Sequence, residues 1–175
     1  VPMLPLPLFL YNMPSCTKMI FEPQTVIKAS QIQGIVGLKD SSGSMVYFNT
    51  LLSLLENRKD FSLLVGPEEL LAESLLLGGH GGISGGANLF PKLYVDLYNA
   101  AVAGDLQKTR ELHKKVMWIS TTIYSTGRYN SSFLKGVKSA LNLMGICSDF
   151  IESPFHCFRD QEKGKIRTYL QQFNY

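Results

Sequence analysis

Four short apolar runs, each followed by a stretch with helical signals, occupy the first part of the chain. The runs begin at Leu8, Ile35, Phe61 and Gly82, spaced by roughly 20–30 residues, the size of one strand–helix unit. Successive units of that size can only place their strands parallel, with right-handed helical crossovers. The first run, Leu8–Asn12, stops at Met13-Pro14-Ser15. Glu22-Pro23 opens a helix to about Ser30, with proline at the favourable first position. Ile35–Leu38 is the second strand. Ser44 starts a helix whose apolar side is Val46, Leu51, Leu52, Leu54 and Leu55. Phe61–Val65 is the third strand, and Pro67-Glu68-Glu69 starts a helix that ends at Gly78-Gly79. There the acidic side chains face the favourable end of the helix dipole. Gly82–Ser84 is the fourth strand, and Pro91–Ala103 the fourth helix.

After Gly104 the pattern changes. Asp105 is placed to cap a long helix to about Thr126, broken by Gly127. Ser131–Met144 and Arg159–Phe173 read as two further helices. The expected organisation is therefore an α/β segment over residues 1–103 and a helical segment over 104–175. A complete (β/α)8 barrel takes about 250 residues for eight units; this chain has four.

Composition excludes several classes. Hydrophobic residues are 45%, charged residues 18%, and the net charge is +3, too small to imply a nucleic-acid partner. No run is long and apolar enough to span a membrane. The opening Val1–Leu10 carries three prolines and no basic start, which makes a poor signal peptide. A start at Val1 suggests a processed or truncated product. Cys16, Cys147 and Cys157 are widely spaced, as are His80, His113 and His156. They form no metal or redox pattern, so free thiols in a reducing, cytoplasmic setting are expected, with no metal and no cofactor. There is no Gly-x-Gly-x-x-Gly and no P-loop lysine to cradle a phosphate.

The polar side chains gather at the C-terminal ends of the strands: Tyr11-Asn12, Lys39-Asp40-Ser41, Gly66-Pro67-Glu68-Glu69 and Ile83-Ser84. In a parallel α/β barrel these ends share one face, and that face carries the chemistry. Lys39 closes the apolar run Gly34–Leu38. Burying an ammonium is costly, so Lys39 is paired, snorkels outward, or stays neutral. A neutral amine in an apolar pocket is a nucleophile towards carbonyls; a surface lysine past a strand end is the plain alternative. Tyr11 is either a strand aromatic with a solvated hydroxyl or a proton donor one strand from that amine. Glu68 reads as a solvated charge at a helix start, and the paired glycines around Ile83 as tight turns.

Three motifs in order carry a family resemblance: Tyr11-Asn12-Met13-Pro14-Ser15, Gly34-Ile35-Val36-Gly37-Leu38-Lys39-Asp40-Ser41-Ser42-Gly43, and Gly78-Gly79-His80-Gly81-Gly82-Ile83-Ser84 with Ala87-Asn88. They resemble the dihydrodipicolinate synthase/N-acetylneuraminate lyase family of class I aldolases, as does Phe133-Leu134-Lys135-Gly136-Val137-Lys138 in the tail. The resemblance implies an α/β fold made of the second half of a TIM barrel followed by a helical segment. It implies that Lys39 forms a Schiff base with pyruvate or another 2-keto acid and that Tyr11 relays protons. Gly66 and Ile83 match residues whose backbone lines the pyruvate site. Ser41, Glu68 and Glu69 resemble positions that sugar-acid lyases use on hydroxyl-rich substrates. The implied partners are a 2-keto acid and an aldehyde, and the implied assembly is a homo-oligomer, a tetramer or dimer.

Two departures shape the expectation. The family's first four units, with their carboxylate-binding Thr-rich turn, are absent. Cys16 stands where dihydrodipicolinate synthases usually carry an arginine for the aldehyde's carboxylate. The sequence therefore favours a lyase or aldolase acting on a sialic-acid or 2-keto-3-deoxy-sugar substrate, with dihydrodipicolinate synthase as the alternative. A third reading is a truncated, inactive fragment or scaffold, because half a barrel leaves two unpaired strand edges.

Overall fold

A computed structural model describes residues 5–173; the opening four residues of the proline-containing start lie outside them. The element order is β1 (Leu8–Asn12), α1 (Pro14–Thr17), α2 (Pro23–Ser30), β2 (Ile35–Asp40), α3 (Met45–Leu54), β3 (Ser62–Val65), α4 (Leu71–Leu76), β4 (Gly81–Gly82), α5 (Pro91–Val102), α6 (Leu106–Thr122), α7 (Ser132–Leu143) and α8 (Asp160–Gln172). Single 3-10 turns at Glu68–Leu70 and Gly85–Asn88 precede α4 and α5. No helix among the described residues is long and apolar enough to cross a membrane.

The chain forms two compact units. The first is the chain up to Ser84 together with Tyr98–Leu106; the second is Gly85–Leu97 together with the chain from Gln107 onward.

In the first unit the four strands form one parallel sheet in the order β1-β2-β3-β4, so β1 and β4 are its edges. Alternate residues of a strand face opposite sides. The register aligns Leu10, Leu38 and Leu63 on one side, and Asn12, Asp40 and Val65 on that same side one step on. Leu38, Leu63 and Val65 are almost fully buried, as are Val26, Phe48, Leu51, Leu71 and Leu75 of the helices. The helix α2 packs on β2 and α3, α3 on α4, and α4 on β4. Each fully buried leucine contributes about 1.5–3 kcal/mol, so this helix-covered side holds the unit together. The other side carries Phe9, Gly37 and Ser62, then Tyr11, Lys39 and Leu64. It is the open side: Phe9 is 44% and Tyr11 50% exposed. The Phe9 ring lies across Gly37, where a Cβ would meet it and the carbonyl of Ser62. Gly37 is thus the residue that lets an aromatic ring lie flat on β2.

Several boundaries differ from expectation. The chain after β1 does not merely stop but forms α1, with Pro14 at its first position and Lys18 closing it at φ 59°. The Lys18 ammonium donates to the Ser15 carbonyl at 2.6 Å, which supports that left-handed residue. The expected helix at Pro67 begins as a 3-10 turn, and Glu68 in it is only 3% exposed. It is a buried carboxyl, not a solvated helix charge. The strand β4 covers only Gly81–Gly82, although Ile83 still donates its N–H to the Val65 carbonyl at 3.0 Å. The helix α3 begins at the expected place and is capped by Ser44, whose Oγ accepts from the Tyr47 N–H at 3.2 Å.

In the second unit Leu112, Val116 and Ile119 of α6, Ile123 just beyond it, Val137 and Ala140 of α7 and Ile166 of α8 are buried. The helices α7 and α8 pack together. Gly136 lets α7 approach the carbonyl of Ile123, where a Cβ would collide with it. The Trp118 ring stacks on Phe173 at 5.1 Å and meets Tyr169 edge-on at 5.9 Å, joining α6 to α8. Lys163 and Asp149 form an ion pair at 2.5 Å, and this bond holds the Lys163 ammonium above its ordinary pKa.

Candidate functional site

The C-terminal ends of the strands form a laterally bonded rim. The N–H of Ser41 donates to the Asn12 carbonyl at 2.8 Å, that of Gly66 to the Asp40 carbonyl at 2.7 Å, and that of Ile83 to the Val65 carbonyl at 3.0 Å. Each donor lies just past its own strand and ties it to the preceding one. The N–H groups of Gly66 and Ile83 are therefore committed to the sheet, and their carbonyls are what a ligand at the rim can meet.

Tyr11 and Lys39 are direct partners across β1 and β2. The Lys39 Nζ stands 4.5 Å from the centroid of the Tyr11 ring, in cation–π contact. Both project on the open side of the sheet, and Tyr11 is half exposed. An amine and a phenol are thus presented together. The Ser41 side chain lies against Gly66, occupying the space a Cβ there would need. Gly66 is glycine for that reason, since its conformation lies outside the positive-φ set. Glu69 sits in the 3-10 turn after β3, half buried. Ile83 is 51% exposed beyond the β4 edge, with β3 between its strand and that of Lys39. Tyr11 and Lys39 are therefore brought into contact, and so are Ser41 and Gly66, whereas Glu69 and Ile83 occupy the rim farther along the sheet.

The residues that sequence reasoning missed lie directly behind this pair. Asn12 and Asp40, one position past Tyr11 and Lys39, are 1% and 2% exposed on the helix-covered side. Asn12 Nδ2 donates to Asp40 Oδ1 at 2.8 Å, and Asn12 Oδ1 accepts from the Phe21 N–H at 3.2 Å. Asp40 Oδ1 also accepts from the Ser42 N–H at 3.1 Å, and its Oδ2 from the Ser42 hydroxyl at 2.9 Å. The Ser42 Oγ in turn accepts from the Ser44 N–H at 3.2 Å. The Tyr47 hydroxyl donates to the Phe21 carbonyl at 2.7 Å. Burial, then the nearby charges of Asp40 and Glu22, push the Tyr47 phenol up to about 12. The only signal in the sequence was adjacency to Tyr11 and Lys39; strand register and burial were needed to read it.

Cys16 stands exposed in α1, and Cys147 and Cys157 are also free and exposed. Among the described residues, no cluster of three or more His, Cys, Asp or Glu side chains could hold a metal.

Known proteins align with this arrangement. The chain is 34% identical over 166 residues to a 4-hydroxy-tetrahydrodipicolinate synthase of Methanopyrus kandleri, covering 94% of this chain and 53% of that protein. The structure of dihydrodipicolinate synthase from the commensal bacterium Bacteroides thetaiotaomicron superposes with a TM-score of 0.95 at 55% identity, over 98% of this chain and 58% of that one. YagE, a prophage protein of the dihydrodipicolinic acid synthase family from E. coli K12, solved in complex with pyruvate, gives 0.85 at 29% identity, over 97% and 56%. The chain thus spans about half the length of the relatives it matches. The model of the Dihydrodipicolinate synthetase family matches residues 1–173, helical tail included, and does not bear out limiting the resemblance to a C-terminal half. With a parallel α/β sheet, an amine–phenol pair on its open side and a family match over residues 1–173, the chain belongs to the dihydrodipicolinate synthetase family.

Proposed function

We propose that this chain carries the Schiff-base half of a pyruvate-dependent carbon–carbon lyase or synthase, and that in the complete protein its four units are the second half of a (β/α)8 barrel. The observation that carries the reading is the in-register pair of Lys39 and Tyr11 on the open side of the sheet. The unprotonated Lys39 amine attacks C2 of pyruvate to give a carbinolamine, and protonation of its hydroxyl by solvent followed by loss of water leaves an iminium. Its positive nitrogen acidifies C3, and deprotonation there gives an enamine. The enamine C3 attacks the aldehyde carbon, and Tyr11 delivers a proton to the alkoxide that forms. Hydrolysis or intramolecular displacement of the iminium frees Lys39. Run backwards, the same steps cleave a 2-keto acid. No metal or cofactor is required by this sequence of steps. The Gly66 and Ile83 carbonyls and the Ser41 hydroxyl border the site.

The named relatives favour the synthase over the sugar-acid reading. Removing pyruvate from the dipicolinate skeleton leaves a four-carbon amino-aldehyde acid, aspartate semialdehyde, as the second substrate. The sugar-acid lyase reading keeps one specific support: Cys16 offers no cation where an arginine would bind that acid's carboxylate. An assembly of two or four copies and a cytoplasmic location, suited to three exposed free thiols, belong to the same proposal.

The test uses the complete protein. Pyruvate with borohydride should fix an adduct that peptide mapping assigns to Lys39 and that Lys39→Ala abolishes. Condensation of pyruvate with aspartate semialdehyde, compared with pyruvate release from N-acetylneuraminate and 2-keto-3-deoxygluconate, separates the two substrates. An active protein that traps no adduct, or an adduct that survives Lys39→Ala, overturns the assignment.

A further inference from the structure

We infer that Asn12 and Asp40 are positioning residues: a buried clamp that sets Tyr11 against Lys39 and fixes the two rim loops that follow β1 and β2. The inference rests on the Schiff-base reading of Lys39 and Tyr11 given above.

The geometry has three parts. First, the Asn12–Asp40 bond of 2.8 Å joins the strands at the rung after Tyr11 and Lys39, on the opposite side of the sheet. A slip at this rung would move the phenol relative to the amine, because both side chains depend on the same two backbones. Second, Asn12 holds the loop after β1 through the Phe21 N–H, and Tyr47 holds the same residue through its carbonyl. Third, Asp40 holds the loop after β2 through both the N–H and the hydroxyl of Ser42. That bonding fixes Ser41, the side chain lying against Gly66. The charged and polar groups of one network thus reach the loops after β1 and β2, the strands that carry the phenol and the amine, from the helix-covered side of the sheet.

A buried carboxylate is costly unless each oxygen is bonded. Asp40 meets that condition with three donors, two on Oδ1 and one on Oδ2. A leucine would fill the same space more simply, so the bonding geometry is what the pair adds. Imine formation needs the Lys39 amine and a proton for the departing water, which solvent can supply, whereas proton relay to the new alkoxide needs Tyr11 at a fixed place relative to the amine. Small misplacements cost the second step far more than the first.

The experiment measures two rates in the complete protein: borohydride trapping of the pyruvate imine, and turnover. Asn12→Ala should lower turnover about 10- to 100-fold while trapping stays within about 3-fold of the parent. Asp40→Asn keeps an acceptor for Asn12 and for the Ser42 N–H, and should retain turnover within about 3-fold. Asp40→Leu should resemble Asn12→Ala. Ser42→Ala leaves the Asn12–Asp40 bond in place and should give an intermediate loss, which keeps the test open where Asn12→Ala fails to fold. Trapping and turnover falling in parallel overturns the clamp and leaves the Schiff-base reading standing. Collapse of turnover in a folded Asp40→Asn protein also overturns it, since charge and not geometry would then be at work. Absence of any imine in the parent protein sinks the reading beneath it as well.

Discussion

Lys39 and Tyr11 are rung partners of β1 and β2, and the Lys39 Nζ rests 4.5 Å from the centre of the Tyr11 ring. Register creates this relationship: the two residues are 28 positions apart in sequence and meet because parallel pairing aligns Leu10 with Leu38 and Asn12 with Asp40. The pairing presents a phenol ring and an amine side by side on the open side of the sheet.

Tyr11→Phe should therefore separate two events. The ring and its packing stay, and only the hydroxyl is lost. In the complete protein, imine trapping should persist while turnover falls by roughly 10²-fold or more. Turnover equal to the parent's would return Tyr11 to the role of a strand aromatic.

Gly66→Ala tests the rim. The added methyl would collide with the Ser41 hydroxyl, which can turn away, and would press on the Ser41 Cβ and the Asp40 carbonyl, so the backbone must shift as well. The expected loss of stability is about 1 kcal/mol, with a rise in KM for pyruvate larger than the change in kcat. Steady-state kinetics with a thermal melt would show it; unchanged KM would detach Ser41 and Gly66 from substrate binding.

Gly136→Ala tests the helical unit. Its Cβ would strike the Ile123 carbonyl, backbone that cannot rotate aside. Overpacking of this kind costs about 1–3 kcal/mol. Chemical denaturation should show that loss, and an unchanged midpoint would mean that α7 shifts freely.

Tyr47 makes stability depend on alkaline pH. Its folded pKa, about 12, lies above the unfolded value of 10.0. The folded state therefore holds a proton that the unfolded state releases first. The stabilisation is complete below pH 10 and is lost as pH rises through the folded value. It is on the order of 2 kcal/mol. Tyr47→Phe should flatten the stability profile between those values. An equally steep fall in the variant would assign the loss to other groups.

The chain as given should associate with itself. The edge strand β1 exposes Phe9 and Tyr11, and Ile83 is exposed beside β4 at the other edge. Unpaired edges with apolar side chains invite pairing. Light scattering on residues 1–175 alone should report oligomers or aggregates, and neither aldol cleavage nor condensation should be measurable. A monodisperse monomer with turnover would show that four units suffice.

The repeating strand–helix units and the ends of β1 and β3 are legible in the sequence, because they follow from local periodicity and from Gly and Pro punctuation, whereas β2 runs on to Asp40 and β4 stops at Gly82. The sequence also singled out Lys39, since a lysine ending an apolar strand is conspicuous on chemical grounds alone. The helices α2, α3, α5, α7 and α8 lie within a few residues of their expected bounds, although Val46 and Leu54, expected on the apolar side of α3, are exposed. Tertiary structure decided the rest. Which side of the sheet is open, and so which residues Tyr11 and Lys39 face, depends on pairing between strands far apart in sequence, where a slip of one residue exchanges the two sides. The Phe9 ring across Gly37 and the Asn12–Asp40 bond are consequences of that pairing, and the burial of Glu68 follows from the packing of the turn after β3. A residue's neighbours along the chain do not fix such contacts, which join strands far apart in sequence.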